Sequence, residues 1–241
     1  MAQCKNCDSQ LSGSYCPECG QKDLDLERPI RELVVEVAKE TFDIDSRAWR
    51  TVKTLFLRPG LLTSEFLAGK RRQYTPPLRL YLFISVAVFV FMAWIASRGL
   101  MLEQGQSVQQ DAAVQARFMS DVLPRLMFVL LPVFALLLKG FFFRRLYFDH
   151  LIFSVHLHSA AYVVLALMLP FERVGVESWP AVVLQVVLFG YFLIYFVVAL
   201  RRVYEAGWTG VTIRAAAILF AYMIAVSGLV EANSNFKIIS D

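Results

Sequence analysis

Four cysteines and three histidines are the side chains of this 241-residue chain best suited to hold a metal, move a proton or attack a substrate. They lie in two separate places. Cys4 and Cys7 form one C-x-x-C, Cys16 and Cys19 form a second, and eight residues stand between the pairs. A C-x-x-C wraps its backbone around one cation with both sulfurs inward, and two of them complete a tetrahedron. Zinc is satisfied by four thiolates at about 2.3 Å with no position left open. Pro17 sets the turn of the second knuckle, and Gly20 lets backbone amides approach sulfur. The spacer is shorter than the ~15–20 residues of larger zinc ribbons, so a tight hairpin must fill it. Rubredoxin-like iron and a dithiol redox pair use similar residues. A closed zinc site has no vacancy for water or substrate, so the expected role is structural, stabilising a unit too small for its own core.

The histidines fall in "YFDHLIFSVHLHSAAY", which sets Asp149, His150, His156, His158 and Tyr162 in or beside a strongly apolar helix. At 100° per residue, Asp149 and His156 share one face, while His150, Ser154 and His158 share another. Seven residues separate Asp149 from His156 and eight separate His150 from His158, about 10–12 Å of helical rise. Chelation by one helix needs i, i+4 partners, as in H-E-x-x-H. A metal here would need ligands from elsewhere, such as Glu172, Glu205, Tyr191 or Tyr195. Two other readings stand ahead of it. The histidines satisfy hydrogen bonds between helices, or they form an intramembrane polar site for protons, a headgroup or a small solute.

The surrounding chain is lipid-like. It is 57% apolar, 14% aromatic and 18% charged, against roughly 45–50% apolar and about 25% charged in average soluble domains. Five apolar segments, at roughly 78–97, 122–143, 148–170, 179–200 and 211–230, each approach the ~20 residues that cross a bilayer as a helix. Pro124, Arg125, Pro132 and Lys139 interrupt the second of them. The expected fold is a mainly α membrane protein with a zinc ribbon at 1–23, amphipathic interfacial helices at 24–76, a five-span bundle at 77–231 and a short tail at 232–241. Lys70, Arg71, Arg72 and Arg79 precede the first span, Arg144-Arg145 link the second to the third, and Arg201-Arg202 follow the fourth. The positive-inside rule puts all of them in the cytosol. "MAQCKNCDSQ" has neither an apolar core nor a cleavage site, so the N-terminus is also expected in the cytosol. Reduced thiols belong there. The C-terminus is then outside.

Between ribbon and membrane, residues 28–42 place Ile30, Leu33, Val34 and Val37 at helical spacing. Ser46 can cap a second helix, "RAWRTVKTLFL", with Trp49, Val52 and Phe56 on its apolar side and Arg47, Arg50 and Lys53 on its polar side. Pro59-Gly60 breaks it, and "LLTSEFLA" forms a third helix ending at Gly69. Arg47, Arg50, Lys53, Lys70, Arg71 and Arg72 are interleaved with Trp, Phe and Leu, as in helices that lie among anionic headgroups. Packing on the cytosolic ends of the spans is the plainer alternative. Nucleic acid would use similar charges, but the apolar faces and the nearby membrane already explain them.

Taken in order, "CGQK", "TLFLRPG", "FLAGKRRQY" and "DHLIFSVHLH" resemble an uncharacterised bacterial membrane family catalogued as domain of unknown function 3667. The resemblance reaches the third span and fades in the last two. It implies a zinc ribbon at Cys4, Cys7, Cys16 and Cys19, a multi-span body in the bacterial inner membrane, and no activity that can be carried over. Asp8 departs from the glycine that usually follows the second cysteine, which loosens the first knuckle without removing a ligand.

Three classes of function follow. The first is a body that binds or transports a lipid or small solute through the intramembrane polar site, with membrane lipids, anionic ones above all, as partners. The second is a membrane-anchored scaffold or regulator whose ribbon recruits a cytosolic protein. The third, an enzyme using the histidines as acid or base, lacks any nucleophile motif, phosphate loop or paired carboxylate. No catalytic residue is assigned, and homo-oligomerisation stays open.

Overall fold

A computed structural model describes residues 3–23, 47–97, 123–172 and 179–236. The expected helix at 28–42, the Ser46 cap, the connections 98–122 and 173–178 and the last residues of the tail lie outside the described residues. Those described form seven helices: α1 Arg47–Leu57, α2 Leu61–Leu67, α3 Pro77–Ser97, α4 Leu123–Phe141, α5 Tyr147–Glu172, α6 Trp179–Tyr204 and α7 Trp208–Phe236. Their only β pairing is two isolated bridges, Gln3 with Gln10 and Tyr15 with Lys22.

Among the described residues, four helices are long and apolar enough to cross a membrane: α3 over Pro77–Ile95, α5 over Tyr147–Met168, α6 over Trp179–Tyr204 and α7 over Trp208–Ala232. Length and hydropathy in the sequence suggest five; the further segment, 122–143, contains α4, a 19-residue helix that forms through Pro132 and carries Lys139 in its last turn. Burial distinguishes the spans. In α5, 61% of the membrane-length stretch is buried, against 17% in α6 and 11% in α7. The central helix is therefore α5, against which α3, α4 and α6 pack, while α7 closes on α4 and α6. Phe134, Leu138, Phe153, Leu157, Phe196, Leu200 and Ile218 fill the main core. On the α3 side, Tyr81 and Tyr162 bury their hydroxyls 3.0 Å apart, each serving the other.

The α1–α2 hairpin is not a flat raft beside this bundle. Phe66 packs with Phe148 and Ile152 near the start of α5, whereas Thr63 reaches His156. Those α5 positions differ by up to eight residues, about 12 Å of rise. The turn at Arg58-Pro59-Gly60 thus sits deeper in the bundle than the far end of α2. It is held there by α6: Tyr191 Oη donates to the Phe56 carbonyl at 2.7 Å, and Arg202 donates to the Pro59 carbonyl at 2.5 Å. Docking also turns α1. Its buried residues are Thr51 and Leu55, with Val52 and Phe56 partly buried against the core, while Trp49, placed with them on the apolar side, is 76% exposed. The reason is polar: Thr51 Oγ1 bonds the Arg47 carbonyl and accepts the Thr75 amide at 2.9 Å.

Gly60 makes the close approach possible. Its φ is 75°, and a Cβ there would lie 2.8 Å from the Ala199 carbonyl oxygen. Gly60→Ala combines left-handed strain with a backbone clash, so it should cost more than about 1 kcal/mol. Thermal unfolding in detergent should show a lowered midpoint. Gly210→Ala, where a Cβ meets nothing within 4 Å, serves as the neutral control.

Candidate metal centre and the histidine helix

The sulfurs of Cys4, Cys7, Cys16 and Cys19 all lie within 4.8 Å of one another. Cys4 to Cys19 and Cys7 to Cys16 are each 3.6 Å. A tetrahedron of ~2.3 Å metal–sulfur bonds has edges of about 3.8 Å, whereas a disulfide needs about 2.05 Å. All four thiols are free. Both knuckles have one construction. Asp8 N–H returns to the Cys4 carbonyl at 2.9 Å, and Gly20 N–H to the Cys16 carbonyl at 2.9 Å. Both closing residues are left-handed, Asp8 at φ 60° and Gly20 at φ 68°. Aspartate enters that region more readily than most residues, so the first knuckle closes without glycine.

The local electrostatics suit a cation. The Ser9 hydroxyl, 3.0 Å from Cys16 Sγ, and the amides of Cys19 and Glu18 hold the Cys16 thiol down at about 6. Burial and the neighbouring thiols push Cys19 up to about 11. Crowded thiols share little negative charge among themselves, and a bound divalent cation lets all four ionise. The donor set therefore fits a closed metal site.

The centre is fastened to the rest of the chain. Gln21 Nε2 donates to the Gly69 carbonyl at 2.6 Å. Its Oε1 accepts the amides of Arg71 and Arg72 at 3.0 and 3.2 Å. Arg72 Nε donates to the Cys19 carbonyl at 2.9 Å, and Arg47 donates to the Arg72 carbonyl at 2.9 Å. Three of the six basic residues expected to face lipid thus bind backbone or aromatic groups, the third being Arg71 over the Phe66 ring at 4.9 Å. Lys70 lies 3.5 Å from Glu65. Arg50 and Lys53 project outward from α1.

The polar residues of α5 do not converge. His150 Nδ1 is 2.7 Å from Tyr204 Oη of α6, and His156 Nδ1 is 2.9 Å from Thr63 Oγ1 of α2. His158 Nδ1–H donates to the Ser154 carbonyl at 2.8 Å, so its Nε2 accepts from Tyr222 Oη of α7 at 2.7 Å. Asp149 sits half-buried in the first turn of α5, where the helix dipole favours an acid. Among the described residues, the four cysteines are the one group of three or more His, Cys, Asp or Glu placed to share a metal. Tyr191 is engaged with Phe56 and Glu205 with Arg145, and the side chain of Glu172 lies outside the described residues.

Sequence reasoning missed Thr63, Tyr204 and Tyr222, and it missed that Gln21 and Gly69 are partners. Hydroxyls inside apolar helices were the available signal for the first three.

Thr63→Val removes the only hydroxyl within bonding distance of His156 Nδ1 among the described residues. Interhelical hydrogen bonds in membrane proteins average ~0.6 kcal/mol and reach ~1.7, so a loss of about 1 kcal/mol is expected. In a double-mutant cycle with His156→Leu, unfolding in mixed micelles should show coupling of that size. Strict additivity would contradict the pairing.

No curated protein and no solved structure matches the chain. Residues 45–89 match the model of a family described as protein of unknown function (DUF3667). That segment holds the α1–α2 hairpin, the basic loop and the first part of α3, and over it the chain is similar to this family.

Proposed function

We propose that this is a polytopic protein of the bacterial inner membrane that binds anionic phospholipid headgroups at its cytosolic face and carries a structural zinc ribbon there. The reading takes α4 as a fifth span, with the N-terminus cytosolic and the C-terminus outside. One observation carries the lipid claim. The outward face of α1 presents Trp49, Arg50, Lys53 and Leu57, with Trp49 and Leu57 76% and 69% exposed. Apolar rings and leucines left outside beside cations suit the interface between acyl chains and phosphates. Arg201 stacked over the exposed Trp208 at 4.2 Å repeats the pairing.

Orientation is supported by where the bases gather. Arg145 lies 3.4 Å from the Val203 carbonyl and 3.8 Å from Glu205, and Arg202 reaches the hairpin turn. The basic connections therefore share one end of the bundle, the arrangement that the positive-inside rule assigns to the cytosol. Zinc is the metal proposed, because four thiolates in a closed tetrahedron leave no open position and need no redox chemistry.

A second reading, passage of a lipid or small solute through the interior, draws on His150. This residue is fully buried, and its Nε2 has no partner among the described residues. A separate recess beside Thr63, His156 and Tyr195 has a volume of about 10 Å³, room for about one water. A scaffold that recruits a cytosolic partner through the ribbon is the remaining alternative.

Purified protein should contain one zinc per chain, and Cys16→Ser with Cys19→Ser should abolish it while the helices persist. Added phosphatidylglycerol should raise the melting point of delipidated protein, less so in high salt. Each basic side chain near such a surface is worth ~1 kcal/mol, so Arg50→Gln with Lys53→Gln should weaken apparent affinity about thirtyfold. Binding indifferent to salt and to both residues would leave the scaffold reading in front.

A further inference from the structure

We infer that the metal-bound ribbon is a latch, and that occupancy of the four-cysteine centre decides whether the Gly69–Arg72 loop is held or released. The inference rests on the metal-ribbon reading above and extends it from structure to control of the basic loop. The contact is specific. The Gln21 carboxamide mimics a strand neighbour, donating to the Gly69 carbonyl and accepting two successive amides, those of Arg71 and Arg72. The Cys19 carbonyl, on a metal-ligating residue, takes the Arg72 guanidinium. Gly69 has φ 86°, and a Cβ there would lie 2.6 Å from Lys5 Cδ. The left-handed turn there favours glycine, and the loop packs directly on the Lys5 side chain of the ribbon.

Each ribbon group in this contact owes its place to the second knuckle. Cys16 N–H donates to the Gln21 carbonyl at 2.8 Å, and Gly20 N–H closes on Cys16. A unit of about twenty residues has too small a core to hold such turns unaided, so losing the cation frees Gln21 and the Cys19 carbonyl together. On the other side, the grip passes inward. The Arg72 carbonyl accepts Arg47 from the start of α1, the Thr75 amide donates to Thr51, and Gly69 directly follows the C-cap of α2. Release would leave the Arg71 and Arg72 amides exposed and the Arg72 guanidinium available to lipid phosphate. A ribbon that only filled a structural niche would need no Gln21 reaching into the loop that leads to the membrane.

The test uses the full chain in lipid nanodiscs, with brief trypsin digestion and hydrogen exchange across residues 69–73 as readouts. Chelation should raise cleavage after Arg71 and Arg72 roughly tenfold or more, the loss of several hydrogen bonds of ordinary strength. Gln21→Ala should do the same with metal content unchanged, and Tyr15→Ala, on the exposed side of the ribbon, should not. The latch is overturned if the loop stays equally protected after metal removal, or if Gln21→Ala leaves cleavage unaltered. It is also overturned if the purified chain holds no metal. A bound metal other than zinc would sink the zinc assignment alone, because the same chelation and Gln21→Ala comparisons would still decide the latch.

Discussion

Three imidazoles buried on one apolar helix impose the constraint around which this structure is arranged. In a hydrocarbon surrounding, an unmatched polar group costs several kcal/mol, so each ring of α5 has to find a partner without water. Each takes a hydroxyl from a different element: Tyr204 of α6, Thr63 of α2 and Tyr222 near α7's middle. The individual bonds are modest in strength. Their effect is selective, because sliding or rotating α5 by one residue would orphan three groups at once. The same helix is the most buried of the spans, so the rest of the bundle takes its register from it.

From this helix outward, a sequence of close contacts leads to the surface. His156 fixes α2, and the Gly60 turn is held against α6 by Arg202 and Tyr191. The left-handed Gly69 ends the α2 segment and faces the ribbon. Gly60 thus meets the α6 backbone at Ala199, and Gly69 meets the Lys5 side chain of the ribbon. The basic residues on either side of these glycines divide their work. Arg47 and Arg72 fasten backbone carbonyls, while Arg50 and Lys53 remain on the outer face.

Local features were legible in the sequence, and long-range pairings were not. Paired C-x-x-C dipeptides bring four sulfurs together by short-range geometry, and α1, bounded by its break at Pro59-Gly60, follows the expected limits at Arg47 and Leu57. The expected conflict at Asp8 disappears because aspartate takes the left-handed turn. Histidine spacing argues against chelation by one helix, yet it could not say which hydroxyls would meet the rings. Gln21 and Gly69 stood in recognisable motifs, "CGQK" and "FLAGK", but 48 residues separate them. No periodicity links such a pair. Thr51's hydrogen bond to the Thr75 amide was likewise beyond hydrophobic patterning, which marks the apolar side of α1 but not the polar contact that seats it.

The central claim, that the hairpin is seated in the bundle while its outer face meets lipid, is most directly tested by depth. Single nitroxide labels at positions 49, 57 and 13 of the full chain, in vesicles rich in phosphatidylglycerol, would be compared for collisions with oxygen and with a water-soluble nickel chelate. The account predicts oxygen-rich, nickel-poor surroundings at 49 and 57 and aqueous behaviour at 13. Labels at 49 and 57 that match the one at 13 would contradict it.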